Sequence, residues 1–165
     1  IVFGDWSSDV CSSDLTPPTG LVVSFQTVSY LGRYAPRHVL GAWLVDSEGK
    51  HLRDLAIYGG KQANKLARWR QDTGKAKPDA TTGATRKLHE PLTVTWDGTD
   101  AEGKPLPDGN YTIRLEFTET NRPGPVLDIP VRKGGETGVR EVAGNELFTA
   151  VTVQPAGPDK EPAKP

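Results

Sequence analysis

The alternation of apolar and polar side chains over residues 111–118 most constrains the fold of this chain. The apolar set is Tyr111, Ile113, Leu115 and Phe117, and the polar set between them is Thr112, Arg114, Glu116 and Thr118. A period of two places successive side chains on opposite faces of a β-strand. We therefore predict a strand whose apolar set faces a core and whose polar set faces solvent.

Other segments have the β-branched and aromatic composition of strands. They are residues 21–31, 38–46, 51–58, 92–96, 126–132 and 146–154. Segment 38–46 is apolar on both faces around Trp43, which is typical of a central strand. Turn signals separate the segments, and they include Gly49, which is free to adopt a positive φ.

Between the third and fourth strands the apolar period changes from two to that of a helix. Ala63, Leu66, Ala67 and Arg70 fall on one helical face, so we predict a short helix over residues 61–71. The pattern as a whole predicts an all-β protein, an immunoglobulin-like antiparallel β-sandwich of about seven strands with one short inserted helix. Its core is expected to contain Trp43, Trp96, Tyr111, Ile113, Leu115 and Phe117.

The first fifteen residues are excluded from this reasoning, because DWSSDVCSSDL (residues 5–15) resembles a translated sequencing adapter. The segment contains three aspartates and no Lys or Arg, so its removal changes the formal net charge from −1 to +2. It also contains the only cysteine, Cys11, and the chain has no methionine. We expect the true N-terminus to precede this fragment, together with any signal peptide. A thiol-free chain is compatible with an oxidising compartment.

From the strand pattern of the remaining chain we predict a single β-sandwich domain over residues 16–154. Residues 155–165 are rich in Pro and Lys with nothing to bury, so we expect a disordered tail. The nearly neutral charge argues against binding to nucleic acid. No apolar run reaches the roughly 18 residues of a transmembrane helix, so the fragment is not expected to span a membrane.

Most motifs that carry chemistry are missing from the sequence. His38, His51 and His89 are scattered and have no cysteine nearby, so we predict no structural zinc site. The Asp-rich hairpin that begins at Asp97 departs from the calcium-binding loop, since its sixth position is Glu102 where glycine is required. We interpret its Asp and Gly residues as turn formers, and we predict no catalytic residue and no metal site.

The segment DATTGATRK, residues 79–87, is the strongest candidate for a functional site. As an ordinary turn, Asp79 and the threonines would cap backbone N–H groups, and Gly83 would be left-handed. Such a turn does not require Ala84 followed by Thr85. Small neighbours would instead allow the Thr85 hydroxyl to enter the active site of another enzyme and form a phosphoester.

Four stretches of the sequence together resemble a known family. They are RYAPRHVLGAWLVDSEGKHLRDLAIYGG, RWRQ, DATTGATRK and VTWDGTDAEGKPLPDGNYTIRLEF. In this order and spacing they are similar to the domain of unknown function 2271 family of predicted periplasmic proteins. The similarity covers most of residues 20–132, and it implies a periplasmic or secreted bacterial protein. The hairpin WDGTDAEGKPLPDGNY is also similar to the immunoglobulin-like domain of flagellar hook-capping proteins.

Residues 79–85 also resemble the D-x-x-[S/T]-G-A-T signature that periplasmic flavin transferases recognise. The resemblance implies that Thr85 accepts FMN covalently through its phosphate, with Asp79, Thr82, Gly83 and Ala84 completing the signature. The transferase would use FAD and a divalent metal, so this chain would be its substrate and not an enzyme. Proteins with such motifs serve extracytoplasmic electron transfer, often beside a membrane-bound redox partner.

Two readings of the sequence therefore stand side by side. In the first, the domain carries covalent FMN, with Trp69 or Tyr58 stacked on the flavin ring and with Arg86 and Lys87 neutralising its phosphate or the reduced ring. In the second, it is an immunoglobulin-like structural or protein-interaction module without a cofactor. The fold cannot separate the two, since sandwiches host many functions.

Overall fold

The structure, a computed structural model, describes residues 20–74, 78, 82–135 and 138–155. The adapter-like segment 1–15 and the tail from residue 156 lie outside the described residues. The strands are β1 Leu21–Thr27, β2 Val39–Val45, β3 His51–Tyr58, β4 Leu92–Trp96, β5 Gly109–Thr118, β6 Val126–Lys133, β7 Arg140–Glu141 and β8 Phe148–Pro155. A 3₁₀ helix Gly60–Lys65 and an α-helix, α1, Ala67–Thr73, follow β3.

The strands form two antiparallel four-stranded sheets. Sheet I has the order β4-β1-β8-β7, and sheet II has the order β3-β2-β5-β6. All seven predicted strands are present, and β7 is an additional two-residue strand. The prediction of an all-β fold with two antiparallel sheets and one short α-helix is confirmed.

The core lies between the two sheets and contains one face of each. Sheet II contributes the apolar set of β5 together with residues of β2 and β6. Each of the six predicted core residues is at most 8% exposed. Trp43 differs from the others in its location, because it lies on the outer face of sheet II in a second apolar cluster.

This second cluster lies between the outer face of sheet II and the helical segment. Leu66 and Trp69 from the helical segment pack against Trp43, Val39 and Ile57. Sheet II is thus covered on both faces, which explains why every residue of β2 is buried, as its apolar sequence predicts.

The polar face of β5 departs from the prediction that it faces solvent. Thr112 and Arg114 are partly exposed, but Glu116 and Thr118 are buried. The Glu116 carboxylate accepts hydrogen bonds from the backbone N–H groups of Arg68 and Trp69, at 3.1 and 3.0 Å. It thereby caps the first turn of α1, whose N-cap residue Leu66 has no side-chain oxygen to do so. The prediction failed for Glu116 because its carboxylate caps the helical segment, and for Thr118 because its hydroxyl donates to the backbone carbonyls of Thr120 and Arg122 in the turn after the strand.

The Asp-rich hairpin is built of turns, as predicted. Asp97 accepts a hydrogen bond from the backbone of Thr99, and Asp100 accepts from the backbones of Glu102 and Lys104. Gly49 has φ +85°, as its position in the turn between β2 and β3 predicts.

Candidate functional site

The described part of the predicted motif is residues 82–87, and its residues 82–86 are anchored to the ends of two strands of sheet II. Gly83 pairs in parallel with Tyr58 at the end of β3, and Arg86 pairs antiparallel with His38, just before β2. The Gly59 N–H donates to the Gly83 carbonyl at 2.9 Å, and His38 and Arg86 exchange two backbone hydrogen bonds of 2.9 Å. The backbone is therefore held on both sides of Thr85.

The two described threonines of the motif have different roles. The Oγ1 of Thr82 accepts a hydrogen bond of 3.0 Å from the backbone N–H of Ile57. The half-buried Thr85 hydroxyl has no hydrogen-bond partner anywhere in the described part of the chain. Thr82 is thus used to anchor the loop, whereas the Thr85 oxygen is available for chemistry. Asp79 and Thr81 lie outside the described residues.

Neither small residue of the motif is explained by local backbone geometry. Gly83 does not adopt the left-handed conformation that an ordinary turn would require. A Cβ atom added to Gly83 would approach the Tyr58 ring to 3.4 Å, an ordinary van der Waals contact. Ala84 is exposed. The fold would accept a Cβ atom at Gly83 and a larger side chain at the exposed Ala84, so the reason for small residues lies elsewhere.

Thr85 borders a cleft of about 260 Å³, which we call the Thr85 cleft. Its other walls include Tyr34, Arg37, His38, Lys65 and Thr118. The Lys65 ammonium lies 5.4 Å from the centre of the Tyr34 ring, a cation–π contact. The cleft combines two cationic side chains, an aromatic ring and a free hydroxyl, which suits an anionic aromatic ligand.

His38, which lines the Thr85 cleft, is stacked on a second histidine, His89. The rings of His38 and His89 stack at 4.1 Å with an interplanar angle of 11°, and Phe117 contacts both rings edge-on at 5.5 Å. The second ring is held by its own partners. His89 Nε2 donates to Glu119 at 2.8 Å, and its Nδ1 lies 2.7 Å from the Thr27 hydroxyl. The three histidines are scattered in sequence, and the fold brings these two together.

The environment keeps His38 neutral and Glu119 ionised. Burial, assisted by His89 and Arg86, lowers the pKa of His38 from 6.5 to about 4. Burial also acts to raise the pKa of Glu119. Hydrogen bonds from the Gly32 backbone, Ser29, His89 and the Tyr30 backbone outweigh that effect, and the Glu119 pKa lies below its ordinary value.

The structure corrects one of the predicted aromatic partners of a flavin ring. Trp69 is 0% exposed, and its indole N–H donates to Asp54 at 2.8 Å, so it cannot stack on a ligand in the cleft. Tyr58 is half-buried, with the Arg86 guanidinium 5.1 Å above its ring. Tyr34 was missed because its sequence context, RYAPRH, indicates only a loop. Lys87 is exposed.

Among the residues described, no group of three or more His, Cys, Asp or Glu side chains could hold a metal ion. Over the same parts of the chain, no helix has the length and hydrophobicity needed to span a bilayer.

Comparison with known proteins gives one match. The sequence model of a family described as "Predicted periplasmic protein (DUF2271)" matches residues 25–148. Neither the curated proteins nor the solved structures include a significant match. The matched range runs from within β1 to the first residue of β8, and it includes Thr85 and the residues that form its cleft.

Proposed function

The chain belongs to the DUF2271 family of predicted periplasmic proteins, and from that premise we propose that it is an extracytoplasmic electron carrier with FMN bound covalently to Thr85. The observation that carries the proposal is the contrast between the two described threonines of the motif. The Thr82 oxygen accepts a backbone hydrogen bond, whereas the Thr85 oxygen, three residues on, accepts none from the residues that the structure describes and borders a cleft.

The attachment is a transfer of FMN from FAD, catalysed by a periplasmic flavin transferase with its divalent metal. The Thr85 Oγ1 attacks the phosphorus atom of the FMN half of FAD and forms a P–O bond. The anhydride bond of FAD breaks, AMP leaves, and the hydroxyl proton passes to a base of the transferase. This chain is the substrate of that reaction and not an enzyme, and no catalytic residue of its own is required.

The Thr85 cleft supports the second half of the proposal, which is that the attached flavin exchanges electrons. Reduction of a flavin places negative charge on the ring, and a nearby cation stabilises that charge. Arg37 and Lys65 supply two cations at the walls of the cleft. A membrane-bound redox partner would donate or accept the electrons.

The proposal is tested by co-expressing the full chain with a periplasmic flavin transferase. We expect a fluorescent band on a denaturing gel and an intact mass increased by that of FMN minus water. Thr85→Ala should abolish both signals, because no oxygen remains to form the ester. Thr85→Ser should retain them, since the serine hydroxyl supplies the same nucleophile.

Thr95→Ala is the matched control, because Thr95 is an exposed threonine in β4, outside the motif. It should be loaded like the wild type. A wild-type chain that stays unloaded beside an active transferase, or an adduct that persists in Thr85→Ala, would contradict the proposal. The first result would leave the structural or interaction module as the better description.

A further inference from the structure

His38, one of the residues that line the Thr85 cleft, has a buried ring nitrogen without a hydrogen-bond partner among the described residues. Its Nδ1 donates to the carbonyl of Pro36 at 3.0 Å, because a carbonyl oxygen can only accept. In the neutral ring, the Nε2 atom therefore carries a lone pair. This buried atom has no hydrogen-bond partner among the described residues, although the side chain is only 1% exposed. An unpaired buried acceptor is costly, and such atoms are rare in folded proteins.

The groups around the cleft define which ligand could satisfy this nitrogen. A bare lone pair must receive an N–H or O–H donor from the ligand. Arg37 and Lys65 also line the cleft, and they bring only donors and positive charge. The cleft therefore combines the unpaired His38 acceptor with two cationic donors. Its volume, about 260 Å³, is close to the lower end of small-molecule sites, about 300 Å³. It suits a ring system better than a whole nucleotide.

We propose that the Thr85 cleft binds a planar heterocycle through an imide edge, with His38 Nε2 accepting the ring N–H and with Arg37 and Lys65 donating to the flanking carbonyls. The inference rests on the proposed function, because the heterocycle is then the isoalloxazine ring of the flavin attached to Thr85. The oxidised isoalloxazine carries one N–H, at N3, between the carbonyls C2=O and C4=O. That acceptor–donor–acceptor edge is complementary to a donor–acceptor–donor site.

Such binding would make His38 a positioning residue for the flavin and not a catalytic one. It fixes the ring through N3–H, the one hydrogen-bond donor of the oxidised isoalloxazine ring. The histidine stack fixes His38 in turn, since His89 is held by Glu119 and by Thr27. The acceptor therefore has a defined position before any ligand arrives, which lowers the cost of ordering the site.

The test uses lumiflavin, the isoalloxazine without its ribityl phosphate, titrated into the unloaded full chain and followed by flavin fluorescence. We expect saturable binding by the wild type. His38→Phe, which keeps a ring of similar bulk but has no acceptor, should bind about tenfold more weakly. His38→Gln, whose side-chain oxygen can replace Nε2, should bind nearly as well as the wild type. Near-ultraviolet circular dichroism of each variant checks that the fold is retained.

A modified ligand keeps the test independent of any variant. N3-methyllumiflavin lacks the imide N–H, and we expect the wild type to bind it about tenfold more weakly than lumiflavin. His38→Phe should bind the two ligands equally. The imide N–H and His38 Nε2 form the same hydrogen bond, so methylation of the ligand has no further effect once the histidine is gone. Uridine is titrated alongside, because it has the same imide edge on a smaller ring. Tighter binding of uridine would overturn the assignment to flavin.

The two proposals fail in distinguishable ways. Absence of lumiflavin binding, or equal binding of lumiflavin and N3-methyllumiflavin by the wild type, overturns the role of His38 whatever the state of Thr85. Loading of Thr85 is scored separately by intact mass on the wild-type chain. Selective lumiflavin binding without loading would support the cleft as a flavin site and refute covalent attachment.

Discussion

At the scale of single residues, the motif divides into positions that the fold uses and positions that it does not. Thr82 anchors the loop through its oxygen, and Arg86 anchors it through its backbone. Gly83 also anchors the loop through its backbone, but its ordinary backbone geometry does not require a glycine, and Ala84 is exposed. Recognition by a modifying enzyme would explain why these two residues are small. The explanation is open to a direct test at Gly83.

Gly83→Ala should leave the fold intact and greatly reduce loading of Thr85. The new methyl group would meet the Tyr58 ring at a normal contact distance, so we expect the free energy of unfolding to change by less than about 1 kcal/mol. Loading should fall because the resemblance places a glycine at this position of the transferase signature. Denaturant unfolding and intact mass after co-expression measure the two effects.

Gly138→Ala is the matched control for this substitution. A Cβ atom added there would have no neighbour within 4 Å, and the residue lies outside the motif. It should be stable and fully loaded. Normal loading of Gly83→Ala would show that the glycine has no part in recognition.

At the scale of elements, the loop 82–86 behaves as a short strand added at the ends of β2 and β3. It has only a few backbone hydrogen bonds to these strands, whereas β5 is paired with β2 over residues 112–118 and with β6 over residues 109–116. Elements held by few hydrogen bonds open at lower free energy than core strands. Local opening of this loop would give a transferase access to Thr85 without global unfolding.

Thr82→Val should make the loop open more easily. It removes the acceptor of the Ile57 N–H, a contact of about 1 kcal/mol, so the exchange rate of that amide hydrogen should rise about fivefold. Hydrogen–deuterium exchange followed by NMR measures it. Thr93→Val is the control, because the Thr93 hydroxyl bonds to the Ser24 side chain on an exposed face, away from the loop. An unchanged Ile57 rate in Thr82→Val would show that this hydrogen bond does not hold the loop.

The strands could be predicted from sequence because each depends on its own local pattern. The alternation of β5 places Tyr111 and Phe117 correctly, and the two-sided apolar sequence of β2 indicates its central position. The burial of Glu116 could not be predicted, since it depends on a helical segment almost fifty residues earlier in the chain. The segment 61–71 predicted one helix. The structure divides it into a 3₁₀ helix and α1, because Leu66 between them has an extended backbone.

The candidate site was predicted only in part, for the same reason. Thr85 follows from a local motif, but the Thr85 cleft is assembled from four separate parts of the chain. No spacing rule links His38 to His89. One local signal was present, since His38 opens a run of apolar residues that is buried on both faces. A polar side chain in such a run needs an internal partner.

At the scale of the whole molecule, the histidine pair lies where the two sheets are joined. His89 contacts Thr27 at the end of β1 in sheet I and Glu119 directly after β5 in sheet II. Glu119 also accepts hydrogen bonds from the backbones of Tyr30 and Gly32, in the segment that connects β1 to β2. The cluster therefore links the crossing between the sheets to the wall of the Thr85 cleft, and its protonation should affect global stability.

Acid should destabilise the protein through His38. In the unfolded chain His38 binds a proton below about pH 6.5, whereas in the folded protein it stays neutral down to about pH 4. The unfolded state therefore binds more protons in this window. Stability is retained above pH 6.5 and is lost as the pH falls through the window, with a contribution of about 3 kcal/mol from this group. Three neighbouring groups also act on the His38 pKa, since His89 and Arg86 lower it and Glu119 raises it.

His38→Gln removes this titration and leaves the other groups in place. Glu116, whose pKa is raised by burial, contributes with the opposite sign, but it does so in both proteins. We therefore expect the stability of the wild type relative to His38→Gln to decrease by about 3 kcal/mol between pH 7 and pH 4. Urea unfolding at several pH values measures the difference. Parallel pH profiles for the two proteins would mean that His38 is not held neutral by its burial. A protonated His38 has no acceptor nitrogen, so Nε2 could then not accept a hydrogen bond from a ligand in the Thr85 cleft.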